Sequence, residues 1–179
     1  GAVTKDFKAL QYFSSVNQFI ATGDSDHNEF KKGSTWMAYR PTHETECCAG
    51  NVHRFMPNYV SRMWLEGETE GELAAAMYGP SEVRHELPGG NIVTVTEDTA
   101  YPFGNEIRFV FSMDKSARFP FTFRVPSWCG DAEIRINGSG YDVIPDENGF
   151  STIERRYRDG DVLTLVLDMP VEVKGCPEG

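Results

Sequence analysis

The chain has 179 residues, 17 of them basic and 27 acidic, which gives a formal net charge of −10 at pH 7. An acidic surface of this strength repels phosphate backbones, so we expect no nucleic-acid partner. Hydrophobic residues make up 40% of the chain and aromatic residues 12%, which is enough for a packed core and excludes a disordered tail. No apolar run approaches the ~20 residues that span a bilayer, so we expect no membrane partner.

The first predicted element is a helix over residues 4–22. Its apolar residues recur at steps of three and four positions, and they are Phe7, Leu10, Phe13, Val16 and Ile20. Gly23 is a suitable helix stop. Residues 24–46 are polar and irregular. A loop of that length is commonly functional, or else it signals a missed element.

A second helix is predicted after residue 46, from a more regular apolar stripe. The stripe contains Val52, Phe55, Met56, Tyr59, Val60, Met63 and Trp64. Pro57 lies inside it, which predicts either a kink or a start delayed toward the proline. Gly67 is expected to end this helix.

After Gly67 the apolar period changes from that of a helix to that of a strand. Alternating apolar and polar residues predict strands over residues 107–113, 119–125, 133–136 and 163–169. Turn signals at residues 88–90, 137–138 and 159–160 separate the predicted strands. Pro120 and Pro126 are expected at a sheet edge or at a strand end.

These patterns predict a mainly β fold, in which an antiparallel β-sandwich follows two α-helices. We place the domain boundary so that residues 1–66 are the helical segment and residues 67–179 are the sandwich. A helical piece of this size is marginal alone. Its apolar faces should therefore pack on something else, and self-association into a homo-oligomer is one expected outcome.

Four cysteines are present, and their spacing is not that of a disulfide framework. They are Cys47, Cys48, Cys129 and Cys176. The first two follow Glu44 and Glu46 at the predicted helix start, where free N–H groups stabilise a thiolate. Cysteine together with carboxylate suits zinc. The alternative is that both are ordinary small buried residues behind a solvated acidic cap, and residue types alone favour it.

The segment Cys47-Cys48-Ala49-Gly50-Asn51, with Arg54 and Pro57, resembles the Cys-Cys-x-Gly-Asn-x-x-Arg-x-x-Pro signature of glycoside hydrolase family 127 (GH127). That family includes β-L-arabinofuranosidases. The resemblance continues in order through residues 77–83, 101–103, 123–129, 136–138 and 155–161, and it covers roughly residues 35–173. Ordered matches over this length are more specific than any single motif.

The resemblance implies the C-terminal portion of an (α/α) barrel followed by a β-sandwich. It implies a retaining glycoside hydrolase with a carbohydrate partner, an L-arabinofuranoside or a related plant glycan. Cys47 would be the nucleophile and Cys48 a zinc ligand, with Cys47 also at the metal. The family's upstream Glu-x-Cys has no counterpart here, because no cysteine precedes Cys47. We do not transfer its role to Glu44 or Glu46, and we expect this chain alone to be inactive.

Four further residues are candidates for sugar contact: Trp36, His43, His53 and Arg54. Each has an ordinary alternative. The histidines can lie on a surface or a helix face, Trp36 can pack under the long loop, and Arg54 can simply hold the helix.

Two other functions stay open from the residues alone. The chain could be a non-catalytic β-sandwich that packs on a barrel or binds glycans, or a structural zinc-binding protein. The upstream sequence of the gene separates them, since a Glu-x-Cys and a pocket glutamate there would favour the hydrolase.

Overall fold

The computed structural model describes residues 2–3, 6, 10–11 and 46–171. The chain divides into two compact units, Gly1–Tyr59 and Val60–Gly179. None of the described residues forms a helix with the length and apolarity needed to cross a bilayer. The predicted division into a helical segment that derives from a barrel, residues 1–66, and a sandwich, residues 67–179, stays a prediction.

The predicted helix over residues 4–22 is not confirmed. Strand β1 (Ala2–Val3) pairs antiparallel with strand β2 (Leu10–Gln11), so the helix assignment is wrong at Leu10 and Gln11. Apart from Asp6, the other residues of that prediction lie outside the described residues. The apolar spacing gave a wrong prediction here because a short apolar segment can also form its backbone hydrogen bonds with a neighbouring strand.

The second predicted helix is confirmed as α1 (Glu46–Val60), but it ends before Gly67. Trp64 belongs to strand β3 (Trp64–Glu66) instead of extending the helix. Its ring lies edge-on to Phe109 in the sandwich, with 5.9 Å between ring centroids. Packing of this partly buried indole against the core therefore outweighs the helical spacing that places it on the apolar stripe.

The second unit is a β-sandwich of two sheets. Its remaining strands are β4 (Leu73–Ala75), β5 (Ser81–Glu86), β6 (Ile92–Thr99), β7 (Glu106–Met113), β8 (Ala117–Arg124), β9 (Ala132–Ile136), β10 (Ser139–Tyr141), β11 (Phe150–Tyr157) and β12 (Val162–Leu167). One sheet has six strands in the order β10-β9-β12-β7-β6-β5, and the other has four in the order β11-β8-β4-β3. The four strands predicted from alternation are confirmed as β7, β8, β9 and β12.

One pair of neighbouring strands departs from the antiparallel expectation. Strands β4 and β8 run parallel, with Leu73 beside Phe121 and Ala75 beside Phe123. Parallel neighbours need a long connection between them. Here the intervening chain forms β5, β6 and β7 of the other sheet, so β4 and β8 meet only after the chain has crossed the sandwich and returned.

The core is formed by the inward residues of both sheets, with aromatic rings at its centre. Phe109 and Phe111 of β7 each lie 5.1 Å from Phe121 of β8, measured between ring centroids. Phe111 also stacks on Tyr157 of β11 at 4.5 Å. All four side chains have no exposed surface. Burying each contributes on the order of 2–3 kcal/mol, so the alternating strands carry the stability of this unit.

The two prolines lie where a missing backbone N–H is tolerated. Pro120 lies inside β8, opposite Glu154 of β11, but β4 pairs only with β8 residues 121–123. On the side of β8 that faces β4, Pro120 is therefore not paired with a neighbouring strand. Pro126 follows the end of β8. Both positions agree with the expectation of an edge or a strand end.

Candidate functional site

Cys47 and Cys48 lie in the first turn of α1, which begins at Glu46. Their predicted position at a helix start is confirmed. The N–H groups of a first helical turn have no partners within the helix, and the positive end of the helix dipole favours a thiolate there. The structure describes the backbone of α1 but not the side chains of residues 46–50 and 52–53. The catalytic role of Cys47 and the metal role of both cysteines therefore stay predictions.

Two of the other predicted site residues lie on α1, and two lie outside the described residues. His53 and Arg54 lie on α1, and the Arg54 side chain is exposed. The Arg54 carbonyl accepts a hydrogen bond of 2.8 Å from the Asn58 side-chain amide. Trp36 and His43 lie outside the described residues. The helix begins eleven residues before Pro57, so the proline does not delay its start.

A set of metal ligands is not assembled by the side chains that the structure describes. Among them, no three His, Cys, Asp or Glu residues come together in a way that could hold a metal ion. Cys47 and Cys48 are not among those side chains. Adjacent cysteines supply at most two of the four ligands of a tetrahedral zinc site. The expected zinc therefore needs ligands from beyond the described side chains.

The segment over residues 77–83, which carries part of the resemblance, wraps around a carboxylate that sequence analysis did not single out. Glu97 of β6 is only 2% exposed. Its Oε1 accepts a hydrogen bond of 2.8 Å from the Gly79 backbone N–H, and its Oε2 accepts one of 3.2 Å from the Ser81 hydroxyl. The Ser81 hydroxyl oxygen in turn accepts a bond of 3.1 Å from the Trp64 indole N–H. This network joins β3 of one sheet to β5 and β6 of the other.

Burial raises the pKa of Glu97 to about 7, against its usual 4.5, although the hydrogen bonds from Gly79 and Ser81 act in the opposite direction. Within the described part of the chain, no cation forms an ion pair with this carboxyl group. Removal from water without a compensating charge disfavours the ionised form. The group therefore exists in both protonation states near neutral pH.

Two further segments of the resemblance meet at Tyr78, next to Glu97. The Tyr78 hydroxyl donates a hydrogen bond to the Arg124 carbonyl at the end of β8. The Tyr101 ring lies edge-on to the Tyr78 ring, with 5.9 Å between centroids. Burial raises the pKa of Tyr78 well above its usual value, so the phenol stays neutral. Residues 77–83, 101–103 and 123–129 thus form one buried contact that ties the two sheets together.

The last two segments meet at Asp161. Its Oδ1 accepts a hydrogen bond of 2.8 Å from the Asn137 amide, and its Oδ2 accepts one of 3.0 Å from the Arg158 backbone N–H. The Asn137 side-chain oxygen accepts a bond of 2.9 Å from the Val162 N–H. Asn137 and Gly138 both have positive φ, 50° and 83°, as a tight hairpin turn requires. These contacts hold the β9–β10 turn against the start of β12, which is a structural role.

An acidic cavity of about 570 Å³ lies on the same unit. Its lining includes Glu66, Glu68, Glu70, Glu72, His85 and Glu86. Glu72 accepts hydrogen bonds from the Thr122 hydroxyl at 2.6 Å and from the Thr69 N–H at 3.2 Å. The His85 Nε2 atom lies 3.3 Å from the Gly71 carbonyl oxygen. These contacts fix local structure and bring no nucleophile or proton donor to a shared point.

Solved structures share the sandwich fold. A GH127 β-L-arabinofuranosidase from Geobacillus stearothermophilus T6 is 28% identical, with a TM-score of 0.66 over 78% of this chain and 22% of that chain. A protein described as a glycoside hydrolase is 22% identical, with a TM-score of 0.68 over 94% of this chain and 26% of that chain. Another GH127 β-arabinofuranosidase is 19% identical, with a TM-score of 0.60 over 74% of this chain and 23% of that chain. The last two likenesses show the fold alone.

The class defined by fold and similarity is therefore a β-sandwich domain of the kind found in glycoside hydrolases. Residues 72–169 match the family described as the GH127 middle domain of β-L-arabinofuranosidases. The match covers more than half of the chain, so the chain belongs to that family, and the resemblance seen in the sequence is confirmed. A comparison with curated proteins found no match. The chain spans about a quarter of the length of the solved relatives.

Proposed function

We propose that this chain supplies the nucleophile helix and the middle β-sandwich of a longer retaining glycoside hydrolase that releases L-arabinofuranose from glycans. The family match over residues 72–169 carries the proposal. It is supported by 28% identity to a GH127 β-L-arabinofuranosidase and by the position of the two cysteines in the first turn of α1.

In the proposed reaction the Cys47 thiolate is the nucleophile. Its sulfur bonds to the anomeric carbon while the bond from that carbon to the leaving oxygen breaks, and a carboxylic acid elsewhere in the protein protonates that oxygen. Water then displaces the sulfur from the same carbon. Two displacements, each with inversion, give net retention. The helix start favours this role because its free N–H groups stabilise the thiolate.

Zinc is part of the same proposal, with Cys48 and Cys47 as two of its ligands. Bound zinc keeps a coordinated thiol deprotonated at neutral pH. The remaining ligands would come from beyond the described side chains, which bring together no group of three that could hold a metal. We also propose that this chain alone is inactive, because it spans only about a quarter of the length of its solved relatives.

The test is hydrolysis of an aryl β-L-arabinofuranoside by the full-length gene product and by its Cys47→Ala variant. Loss of the nucleophile should lower turnover by at least about 10³-fold. Cys129→Ala is the matched control, because the Cys129 thiol lies at the sandwich, where it is partly buried against the core and donates a hydrogen bond of 2.8 Å to the Asp131 carbonyl. Turnover in this control should stay within about twofold. Equal turnover in the Cys47→Ala variant and the unmodified protein would rule out the thiol nucleophile.

The second candidate is that the protein is not a hydrolase and that the chain serves as a non-catalytic β-sandwich accessory or glycan-binding module. It is favoured by the contacts of Glu97, Tyr78 and Asp161, because the family-like segments of the sandwich serve structure there. In that case the full-length protein would bind zinc weakly or not at all and would hydrolyse no arabinofuranoside. Zinc content measured by elemental analysis, beside the hydrolysis assay, separates the two candidates.

A further inference from the structure

Two cavities meet at one exposed arginine on the outer side of the four-stranded sheet. The first has a volume of about 430 Å³, and the second about 440 Å³. Arg124 and Asn148 line both of them. Leu65, Met77 and Phe150 add apolar surface to the first. We call the concave surface formed by these five residues the Arg124 cleft, and the exposed Arg62 also lines its first cavity.

Arg124 has no partner for its charge within the described part of the chain. It is the last residue of β8 and lies opposite Phe150 of β11. Three other exposed arginines form ion pairs: Arg108 with Asp98 at 3.3 Å, Arg118 with Glu154 at 2.9 Å and Arg135 with Glu133 at 2.6 Å. The exposed Arg84 and Arg158 form none within the described part of the chain, so what distinguishes Arg124 is that it lines both cavities. An unpaired guanidinium in a cleft of a chain with net charge −10 marks a local site for an anion.

The two carboxylates that line the second cavity, Asp146 and Glu147, form no ion pair with this guanidinium within the described part of the chain. Asp146 is committed to its own loop, because its Oδ1 accepts hydrogen bonds from the Asn148 and Phe150 N–H groups at 2.9 and 2.8 Å. The fork of donors on Arg124 is therefore open to a ligand carboxylate.

The loop that carries Asn148 is already held in place. The Gly149 carbonyl accepts a hydrogen bond of 2.7 Å from the Val125 N–H. Gly149 has a φ of 81°, and a Cβ atom there would lie 2.8 Å from the Val125 carbonyl oxygen. The loop thus depends on this glycine and fixes Asn148 beside Arg124 before any ligand arrives. Such preorganisation lowers the ordering cost of binding.

We propose that the Arg124 cleft binds an acidic sugar residue of a glycan, a uronate. Arg124 would hold the carboxylate through two parallel N–H bonds. The Asn148 amide would bond ring hydroxyls, and Leu65, Met77 and Phe150 would contact the apolar face of the sugar ring. The inference that the ligand has a carboxylate rests on the cleft alone. The inference that this ligand is a sugar rests on the proposed function.

The experiment is a calorimetric titration of the full-length gene product with α-1,4-linked trigalacturonate. We expect a Kd on the order of 0.1–1 mM, as for a small exposed site, with binding that weakens as salt rises. Arg124→Gln should weaken binding at least tenfold. Arg118→Gln, an exposed arginine on the same strand, should leave the Kd unchanged. Circular dichroism melts confirm that both variants fold.

Four results would overturn the proposal. These are no binding at millimolar trigalacturonate, equal binding of an uncharged trigalactoside, equal loss of binding in Arg118→Gln, or equally tight binding of a triglutamate peptide. Binding is measured directly and not through turnover. Its failure therefore leaves the hydrolase proposal intact, and a hydrolase that fails the arabinofuranoside assay can still bind trigalacturonate.

Discussion

The start of α1 and the β-sandwich use their family-like residues in different ways. In α1 they are two adjacent cysteines in the first helical turn, where helix geometry favours a reactive thiolate. In the sandwich they are side chains such as Tyr78 and Asn137, whose donors and acceptors are consumed by other parts of the same fold. The contacts therefore assign the family-like residues of the sandwich to architecture, while a chemical role for the two cysteines stays a prediction.

The largest expected effect is on the free energy of unfolding, which we expect to depend mainly on the core of the sandwich. Phe121→Ala should lower the free energy of unfolding of the sandwich by about 3–5 kcal/mol, because it leaves a cavity between both sheets. Phe55 of α1, which is 64% exposed, is the matched control, and Phe55→Ala should change it by less than about 0.5 kcal/mol. Urea denaturation followed by tryptophan fluorescence measures both. Similar losses in the two variants would contradict a stability concentrated in the sandwich core.

The next effect tests whether the buried Glu97 carboxyl serves structure. Its pKa is raised to about 7 from 4.5, so the folded state holds the proton more tightly than the unfolded state. Protonated Glu97 therefore contributes to the free energy of unfolding. This contribution is fully present below pH 4.5, is lost as the pH rises through about 7, and amounts to at most about 3 kcal/mol. Glu97→Gln should flatten this dependence in denaturation curves measured from pH 4 to 8.

Glu82→Gln is the control for the Glu97 experiment. Glu82 is exposed on β5 and accepts only a 3.3 Å hydrogen bond from Thr96. This variant should therefore keep the pH dependence of the unmodified chain. If Glu97→Gln kept it as well, another group would have to be responsible, and the structural interpretation of this carboxyl would lose its main support.

The smallest effect concerns the loop beside Arg124. Gly149→Ala should lower the free energy of unfolding by about 1–3 kcal/mol, because alanine is strained at positive φ and its Cβ meets the Val125 carbonyl. Gly140→Ala is the control, since nothing lies within 4 Å of a Cβ there and its φ is not positive. It should be close to neutral. A thermal-shift comparison suffices, and equal melting temperatures for the two variants would show that the loop can rearrange.

The sequence predicted the sandwich where one face of each strand is buried, because alternation then reports directly on the core. It predicted the strands over residues 107–113 and 119–125, in which Phe109 and Phe121 are buried, and it identified the turn at Asn137 and Gly138. It failed at Trp64, whose spacing fitted both a helix and a strand until packing on Phe109 decided. Glu97 was missed because its strand was not predicted, although its place two residues after the buried Val95 was an available signal.

By itself, the sequence determined the family, the β-sandwich and the position of Cys47 and Cys48 at a helix start, because each depends on local pattern or ordered motifs. Only the tertiary structure decided that β4 and β8 run parallel, that Glu97 is buried between Gly79 and Ser81, and that Arg124 lines a cleft. The physical reason is the same in each case. These features depend on which distant segments become neighbours when the two sheets close over their shared core, and no local period or motif encodes that.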